Sequence, residues 1–135
     1  MTRPGRRGSE ARERALHLLY EAHIAGLDPV AVVDRQVMPV DEQTARIVGS
    51  VARNSATIGA MVSEELVGWT LDRLSMIDRL VMFIATAELL DADGPPIAVV
   101  LNEAVELAKR YSNEDAGRFV NGVLAAVARS ARPPK

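Results

Sequence analysis

The chain of 135 residues contains no cysteine. A disulfide, a thiolate-bound zinc ion and a cysteine nucleophile are therefore excluded, and the absence fits the reducing cytoplasm. No apolar run approaches the roughly 20 residues that a membrane-spanning helix needs. The basic N-terminal segment also lacks the apolar stretch of a secretory signal. We expect a cytoplasmic protein with no membrane segment.

Signatures of catalysis are also missing. The sequence has no Gly-x-Ser-x-Gly nucleophile elbow and no Walker A loop. Its two histidines, His17 and His23, lie six residues apart, which puts them on different sides of a helix, and we expect both at the surface. Neighbouring acidic residues such as Glu64 and Glu65 diverge on a helix and make poor acid–base pairs. We expect neither an enzyme nor a bound metal or cofactor.

Helical periodicity is the main pattern that the sequence does contain. Apolar residues recur every three or four positions along most of the chain, as on the buried face of a helix. No sustained alternation typical of strands is present. We predict an all-α fold of about six or seven helices in a single domain, residues 1–135. Residues 1–8 would form a flexible arginine-rich arm, and residues 130–135 a flexible tail.

Residues 97–127 are the most informative stretch, because their pattern predicts two helices separated by a sharp break. Pro95 and Pro96 precede the first of these helices, where the missing N–H of proline is tolerated. Ser112 and Asp115 fit a capping box that would begin the second.

Two glycines, Gly117 and Gly122, lie inside the second of these helices. Each costs roughly 1 kcal/mol relative to alanine in a helix interior. Their presence indicates that something approaches the backbone closely there. Either a neighbouring helix or a ligand would meet that description.

Other helix boundaries follow from local signals. Ser9 is a candidate N-cap for a first helix that runs to about Ala25, and Asp41 for a long helix towards Leu66. Glu88 lies in a nearly all-apolar helix, where a buried carboxylate needs a partner because an unpaired buried charge is costly.

Charge is unevenly distributed along the chain, although the net charge is only −2. Residues 1–14 carry five arginines against two glutamates, a net of +3, and residues 109–135 carry six basic against two acidic residues, a net of +4. The middle, residues 15–108, is left with −9. If the two ends meet in the fold, they make a basic surface suited to phosphates, and the acidic middle suits a basic partner. Alternatively, the arginines only keep flexible ends in solution.

One edge of the first helix carries Arg12 two turns before Tyr20. An arginine and an aromatic ring together offer a phosphate contact and a stacking surface, as in the binding of single-stranded RNA. The alternative is that Tyr20 lies at the rim of the core with its hydroxyl in water.

Several segments resemble the NusB family of bacterial transcription antitermination factors: residues 100–109, 114–115 and 118–124. Residues 12–20 are similar to the family's first helix and residues 77–89 to its central helix. The resemblance implies an all-helical fold of two small subdomains. It further implies a non-catalytic protein that binds the boxA element of ribosomal RNA leader transcripts. The partners would be single-stranded boxA RNA, the small-subunit ribosomal protein NusE and the RNA polymerase antitermination complex.

The resemblance also implies functional residues, carried over position by position. The RNA-binding set would be Arg6, Arg7, Arg12, Tyr20, Asp115, Arg118 and Phe119. Asp78 matches an acidic position that faces NusE in the family. This set agrees with the charge distribution if the first helix packs near the last.

Three departures from the family pattern concern the same surfaces. Ala87 stands where the family usually has tyrosine. Met82 and Phe83 replace a more usual Leu-Arg pair, which removes a cation beside the face for NusE. Gly117 stands where polar residues are common.

Two alternatives belong to other functional classes. A self-associating or adaptor helical domain would act through protein–protein contacts, and a homodimer would be able to cover the RNA surface. The chain also resembles the N-terminal RNA-binding part of an RNA cytosine methyltransferase, but no cofactor-binding segment follows within these 135 residues.

Overall fold

The computed structural model describes residues 4–134, with side chains from residue 8 onward. This part of the chain contains seven α-helices, one 3-10 turn (Leu71–Arg73) and no strand, which confirms the all-α prediction. None of these helices has the length and apolar character needed to cross a membrane. The helices are α1 (Pro4–Ala25), α2 (Pro29–Asp34), α3 (Glu42–Arg53), α4 (Ser55–Glu64), α5 (Met76–Leu90), α6 (Ile97–Tyr111) and α7 (Glu114–Ala131).

Helix α5 lies at the centre of the fold. Nine of its 15 residues are buried, because its sequence is apolar on nearly every side. Helices α1, α3, α4, α6 and α7 all pack on it. Helices α1, α2 and α3 also pack on one another, as do α6 and α7. Two groups of helices therefore share α5 as their common core element.

Local capping signals account for several helix starts. The side chains of Asp28, Asp41 and Ser75 accept hydrogen bonds from backbone N–H groups two or three residues later. The predicted capping box of α7 is wrong by one residue. Asn113, and not Ser112, is the N-cap, and its Oδ1 accepts a hydrogen bond of 2.8 Å from the N–H of Ala116.

The long helix predicted from Asp41 towards Leu66 is interrupted. Asn54 leaves the helical conformation (φ −108°, ψ 16°), so that α3 ends and α4 begins there. Its carboxamide donates to the carbonyl oxygen of Ser50 at 3.0 Å. A short polar side chain that bonds its own backbone competes with helix continuation, which explains the break.

The N-terminal helix differs from the prediction at its start. Helix α1 begins at Pro4, five residues before the expected N-cap Ser9. The Ser9 hydroxyl instead donates to the Glu103 carboxylate of α6, 2.7 Å away. Residues 1–3 and the side chains of residues 4–7 lie outside the part that is described, so the predicted arm is largely untested.

The C-terminal segment is more ordered than the predicted tail. Helix α7 continues to Ala131, and the half-buried guanidinium of Arg132 lies against the end of α5. It donates four hydrogen bonds of 2.6–3.0 Å to backbone carbonyl oxygens of Glu88, Leu89, Asp91 and Pro95. The carbonyl oxygens of Glu88 and Asp91 also accept backbone hydrogen bonds from Asp91 and Gly94, so Arg132 adds to the hydrogen bonding of this turn. Arg132 therefore ties α7 to the α5–α6 loop.

Candidate nucleic-acid interface

Arg12, predicted to contact RNA, is buried, with only 4% of its surface exposed. Its Nε lies 2.7 Å from Oε1 of Glu88 and its Nη2 lies 2.8 Å from Oε2, so the pair has two parallel bonds. Burial alone would lower the pKa of Arg12, but the hydrogen bond and charge of Glu88 outweigh it and raise the pKa. The arginine is therefore a charged core residue and not a surface contact. Glu88 has the partner that its position was expected to require.

The pair lies where α1 packs on α5. Its surroundings are apolar side chains of α5 and α6: Val81, Ile84, Ala85, Val100, Ala104 and Leu107. The position of Arg12 on the edge of the apolar stripe of α1 predicts a side chain that faces solvent. Helix α6 packs over that edge as well, and this third helix buries the side chain.

A cluster of polar side chains joins α1 to α6. The Tyr111 hydroxyl donates to the Glu13 carboxylate and lies 3.0 Å from Nε2 of His17. Arg110 Nη1 lies 2.8 Å from Glu13 Oε2. Burial and the bond to Glu13 raise the pKa of Tyr111 above its ordinary value. Both histidines are exposed, as predicted, but His17 also packs edge-on against the Tyr111 ring.

The two basic ends of the chain can be compared only in part, because the side chains of residues 1–7 lie outside the described part. Helices α1 and α7 are not a principal packing pair; α1 packs on α2, α3 and α5, and α7 packs on α4, α5 and α6. A groove of about 490 Å³ runs where α1, α6 and the start of α7 meet, and four of its lining residues are glutamates: Glu13, Glu103, Glu106 and Glu114. The first and last helices therefore come near each other at this groove without being a principal packing pair, and whether their basic residues form one surface stays a prediction.

The start of α7 holds three of the predicted RNA-binding residues together. Arg118 Nη2 lies 2.6 Å from Asp115 Oδ1, and both side chains are more than four-fifths exposed. Phe119 is half-buried against the core, so one part of its ring is accessible. An exposed arginine thus lies beside a partly exposed aromatic residue on one helical turn.

The other predicted RNA contacts lie elsewhere. Tyr20 is 40% exposed and lies on α1, a different helix from the other three residues. Arg6 and Arg7 are in the first turns of α1, and their side chains lie outside the described part. The involvement of these residues in RNA binding stays a prediction.

Asp78, predicted to face a protein partner, lies in the first turn of α5. Its backbone N–H donates to the hydroxyl oxygen of Ser75 at 3.1 Å. The residue is half-buried, and its Oδ1 has no hydrogen-bond donor within the described part of the chain. Nearby, the Phe83 ring is largely buried under the guanidinium of Arg79, 5.5 Å from the ring centre. The departure at Phe83 therefore fills the core.

The two glycines of α7 have different explanations. A Cβ on Gly117 would lie 2.9 Å from Cγ of Lys109, so the close approach is that of the neighbouring helix. A Cβ on Gly122 would meet nothing within 4 Å. Sequence reasoning found Gly117 but did not identify the groove beside it, where Asn102, Lys109 and Asn121 line the walls. No group of three His, Asp or Glu side chains in residues 8–134 converges in a way that could hold a metal ion.

Comparison with known proteins gives a consistent result. The family model described as the NusB family matches residues 9–129. A curated relative from Streptomyces avermitilis, named transcription antitermination protein NusB, is 41% identical over 123 residues, covering 84% of this chain and 85% of the relative. A relative of the same name from Acidothermus cellulolyticus is 42% identical, covering 88% of this chain and 85% of the relative.

Solved structures of NusB proteins are also similar to this chain. NusB of T. maritima superposes with a TM-score of 0.80 at 34% identity, covering 98% of this chain and 96% of the other. A chain from a structure of the antitermination factors NusB and NusE in complex with dsRNA superposes with a TM-score of 0.77 at 27% identity, covering 96% and 99%. The helices described above and these likenesses together establish that the chain belongs to the NusB family.

Proposed function

We propose that this protein is a non-catalytic, RNA-binding transcription antitermination factor that acts in the cytoplasm. Its target is the boxA element of ribosomal RNA leader transcripts, which it binds with the ribosomal protein NusE as part of an RNA polymerase complex. The observation that carries the proposal is the 41% identity to a relative named as a transcription antitermination protein, across 84% of this chain. The similar solved structure that contains NusE and RNA supports the choice of partners.

The RNA is held as a single strand at the start of α7. Arg118 contacts a phosphate, Asp115 orients its guanidinium through their 2.6 Å bond, and a base stacks on the exposed part of Phe119. Arg6 and Arg7 supply further phosphate contacts. Tyr20 offers a second stacking surface because 40% of it is exposed. Arg12 takes no part in contact with RNA, since Glu88 occupies its guanidinium inside the fold.

NusE binds the face that carries Asp78. The middle of the chain has a net charge of −9, which suits a basic protein.

The test is RNA binding with and without NusE across a salt series. With Arg6, Arg7 and Arg118 on phosphates, log K should fall with log salt at a slope of roughly −2 for a single strand. A single-stranded boxA RNA should bind more tightly than its duplex and than a scrambled strand. An affinity that ignores salt, or a preference for the duplex, would contradict the proposed surface.

Variants of α7 locate the contact. Arg118→Ala should weaken binding to every sequence and reduce the salt slope by about 0.7. Arg129→Ala removes a second exposed arginine near the other end of the same helix and serves as the control. Phe119→Leu keeps most of the packing but removes the ring, and it should also reduce discrimination between RNAs. Equal effects of the two arginine changes would argue against a contact at Arg118.

A second candidate is a self-associating adaptor without an RNA role of its own. An exposed apolar patch at the end of α1 and the start of α2 favours it: Tyr20, Ile24, Leu27 and Val30 are 38–67% exposed. Light scattering with and without boxA RNA separates the candidates. A dimer that RNA converts to a complex with one subunit would indicate that self-association masks the RNA surface, whereas a dimer that ignores RNA favours the adaptor.

A further inference from the structure

A second polar groove lies between α6 and α7, and Arg118 is one of its lining residues. Asn102, Val105 and Lys109 form one wall, at the spacing of a single helical face, and Glu114 and Asn121 form the other. The groove has a volume of about 570 Å³, within the range of sites for small ligands. None of the functional residues carried over from the family lies in it except Arg118, which lines its rim.

Gly117 forms the floor of this groove. A Cβ at that position would lie 2.9 Å from Lys109 Cγ and 3.4 Å from Val105 Cγ1. The missing side chain lets the Lys109 stem lie across α7, and it keeps the space above the floor open. The helix carries a glycine here although alanine would be more favourable for a helix interior.

The two cations that line the groove are both paired with carboxylates: Arg118 at the rim with Asp115, and Lys109 in the wall with Glu106 and Glu114. Lys109 Nζ lies 3.8 Å from Glu114 Oε2 and 4.0 Å from Glu106 Oε1. A phosphate would have to displace these carboxylates, so an uncharged polar group fits the groove better than an anion does.

The remaining polar groups of the walls are two carboxamides. The side chains of Asn102 and Asn121 are both exposed. Neither carboxamide makes a hydrogen bond to a side chain or a backbone group between residues 8 and 134. Each offers an N–H₂ donor and a C=O acceptor on one planar group. A carboxamide of this kind pairs with the N6 amino group and N7 of adenine, so the walls match the edge of an unpaired adenine.

Arg118 links this groove to the RNA contact proposed above. It lines the groove, and its neighbour Phe119 carries the stacked base of the proposed RNA complex. A strand whose phosphate lies on Arg118 therefore has one base on Phe119 and the adjacent base at the mouth of the α6–α7 groove.

We propose that the α6–α7 groove is a base-reading site that takes one unpaired adenine of the bound RNA between Asn102 and Asn121. This inference rests on the proposed function, because the adenine belongs to the same strand that Arg118 and Phe119 hold. It assigns to α6 a part in recognition that the carried-over residues give only to α1 and α7.

The test replaces each adenine of boxA RNA in turn by purine riboside, which lacks the 6-amino group. The wild-type protein, with NusE, should lose about tenfold in affinity at one adenine position. The variant Asn102→Ala/Asn121→Ala should bind unmodified boxA RNA about tenfold more weakly and should no longer respond to that replacement. Its salt slope should be unchanged, because no phosphate contact is removed.

Gln43→Ala is the matched control, because it removes a carboxamide from α3, outside this groove. It should leave both the affinity and the adenine response as in the wild type. The thermal midpoints of all variants should match, since no hydrogen bond joins the replaced side chains to another group between residues 8 and 134.

The outcomes separate the two proposals. If the wild-type protein binds boxA RNA and the Asn102→Ala/Asn121→Ala variant keeps the adenine response, the groove is not a base-reading site. The proposed function is unaffected by that result. Wild-type binding that responds to no adenine replacement also overturns the groove. Wild-type protein that binds no boxA RNA with or without NusE overturns both.

Discussion

The Arg12–Glu88 pair is the residue-scale feature with the largest energetic consequence. Both charges are removed from water, and the two short bonds between them compensate for the lost hydration. Exposed pairs such as Arg46–Glu42, 3.9 Å apart, contribute little by comparison. The pair therefore fixes how α1 sits on α5, because either partner alone would be a buried, unpaired charge.

Arg12→Met should lower the free energy of unfolding by about 3–5 kcal/mol, because it leaves the Glu88 carboxylate without its partner. The double change Arg12→Met/Glu88→Met should recover most of that loss. Urea denaturation measures both. The double variant should also keep the wild-type salt slope for boxA RNA, and a slope reduced as far as in Arg118→Ala would mean that Arg12 does reach a phosphate.

Asp41 makes a pH-dependent contribution at the start of α3. Partial burial opposes ionisation, but hydrogen bonds from Thr44 and the charge of Arg14 outweigh it and lower the pKa of Asp41. A carboxyl with a lowered pKa stabilises the fold above the pH at which the unfolded aspartate titrates, about 3.9. That contribution is lost as the pH falls through the folded pKa.

Asp41→Ala should lower the free energy of unfolding by about 1 kcal/mol at neutral pH, because the N-cap is lost. Asp41→Asn keeps a capping oxygen but cannot titrate. Thermal unfolding from pH 7 to pH 3 should therefore start close to wild type for Asp41→Asn and fall less steeply on acidification. Identical acid profiles for this variant and the wild type would contradict the role given to the carboxylate.

At the scale of the element, α7 contains a matched pair of glycines. Gly122 is exposed with open space around it, whereas Gly117 is buried under the stem of Lys109. Gly122→Ala should raise the free energy of unfolding by about 0.5–1 kcal/mol, through helix propensity alone. Gly117→Ala should fail to stabilise and should lower the thermal midpoint, because its Cβ displaces Lys109. Equal gains from both changes would show that the Lys109 stem moves freely.

The sequence predicted that most of the chain is helical. It predicted where a helix begins or ends only where a single residue was a candidate cap. Asp41 had no competitor and caps as expected. Ser112 and Asn113 are both suitable caps for the start of α7. Ser112 is already the C-cap of α6, so Asn113 is the N-cap of α7. The break at Asn54 depends on a weak balance between helix continuation and a local hydrogen bond, which periodicity does not register.

At the scale of the whole molecule, net charges along the sequence did not predict that four glutamates line the groove where α1, α6 and the start of α7 meet. The resemblance correctly indicated the family, and the α7 residues Asp115, Arg118 and Phe119 do lie together. The orientation of Arg12 depended on a residue 76 positions away, which no local pattern contains. In the same way, Glu103 of the groove accepts a hydrogen bond from Ser9, 94 positions earlier in the chain.

The apolar core is one continuous cluster that includes residues of every α-helix. We therefore expect cooperative unfolding as a single unit. In urea, far-ultraviolet circular dichroism and the fluorescence of the single tryptophan, Trp69, should report the same midpoint. Separate midpoints would mean that the two groups of helices around α5 unfold independently.

Arg132 has a practical consequence for handling the protein. Its guanidinium donates hydrogen bonds to carbonyl oxygens at the end of α5. A purification label fused after Pro134 leaves these bonds intact. A truncation or junction that removes Arg132 would release the 91–96 segment, and measurements of RNA affinity on such a preparation would report on a loosened protein.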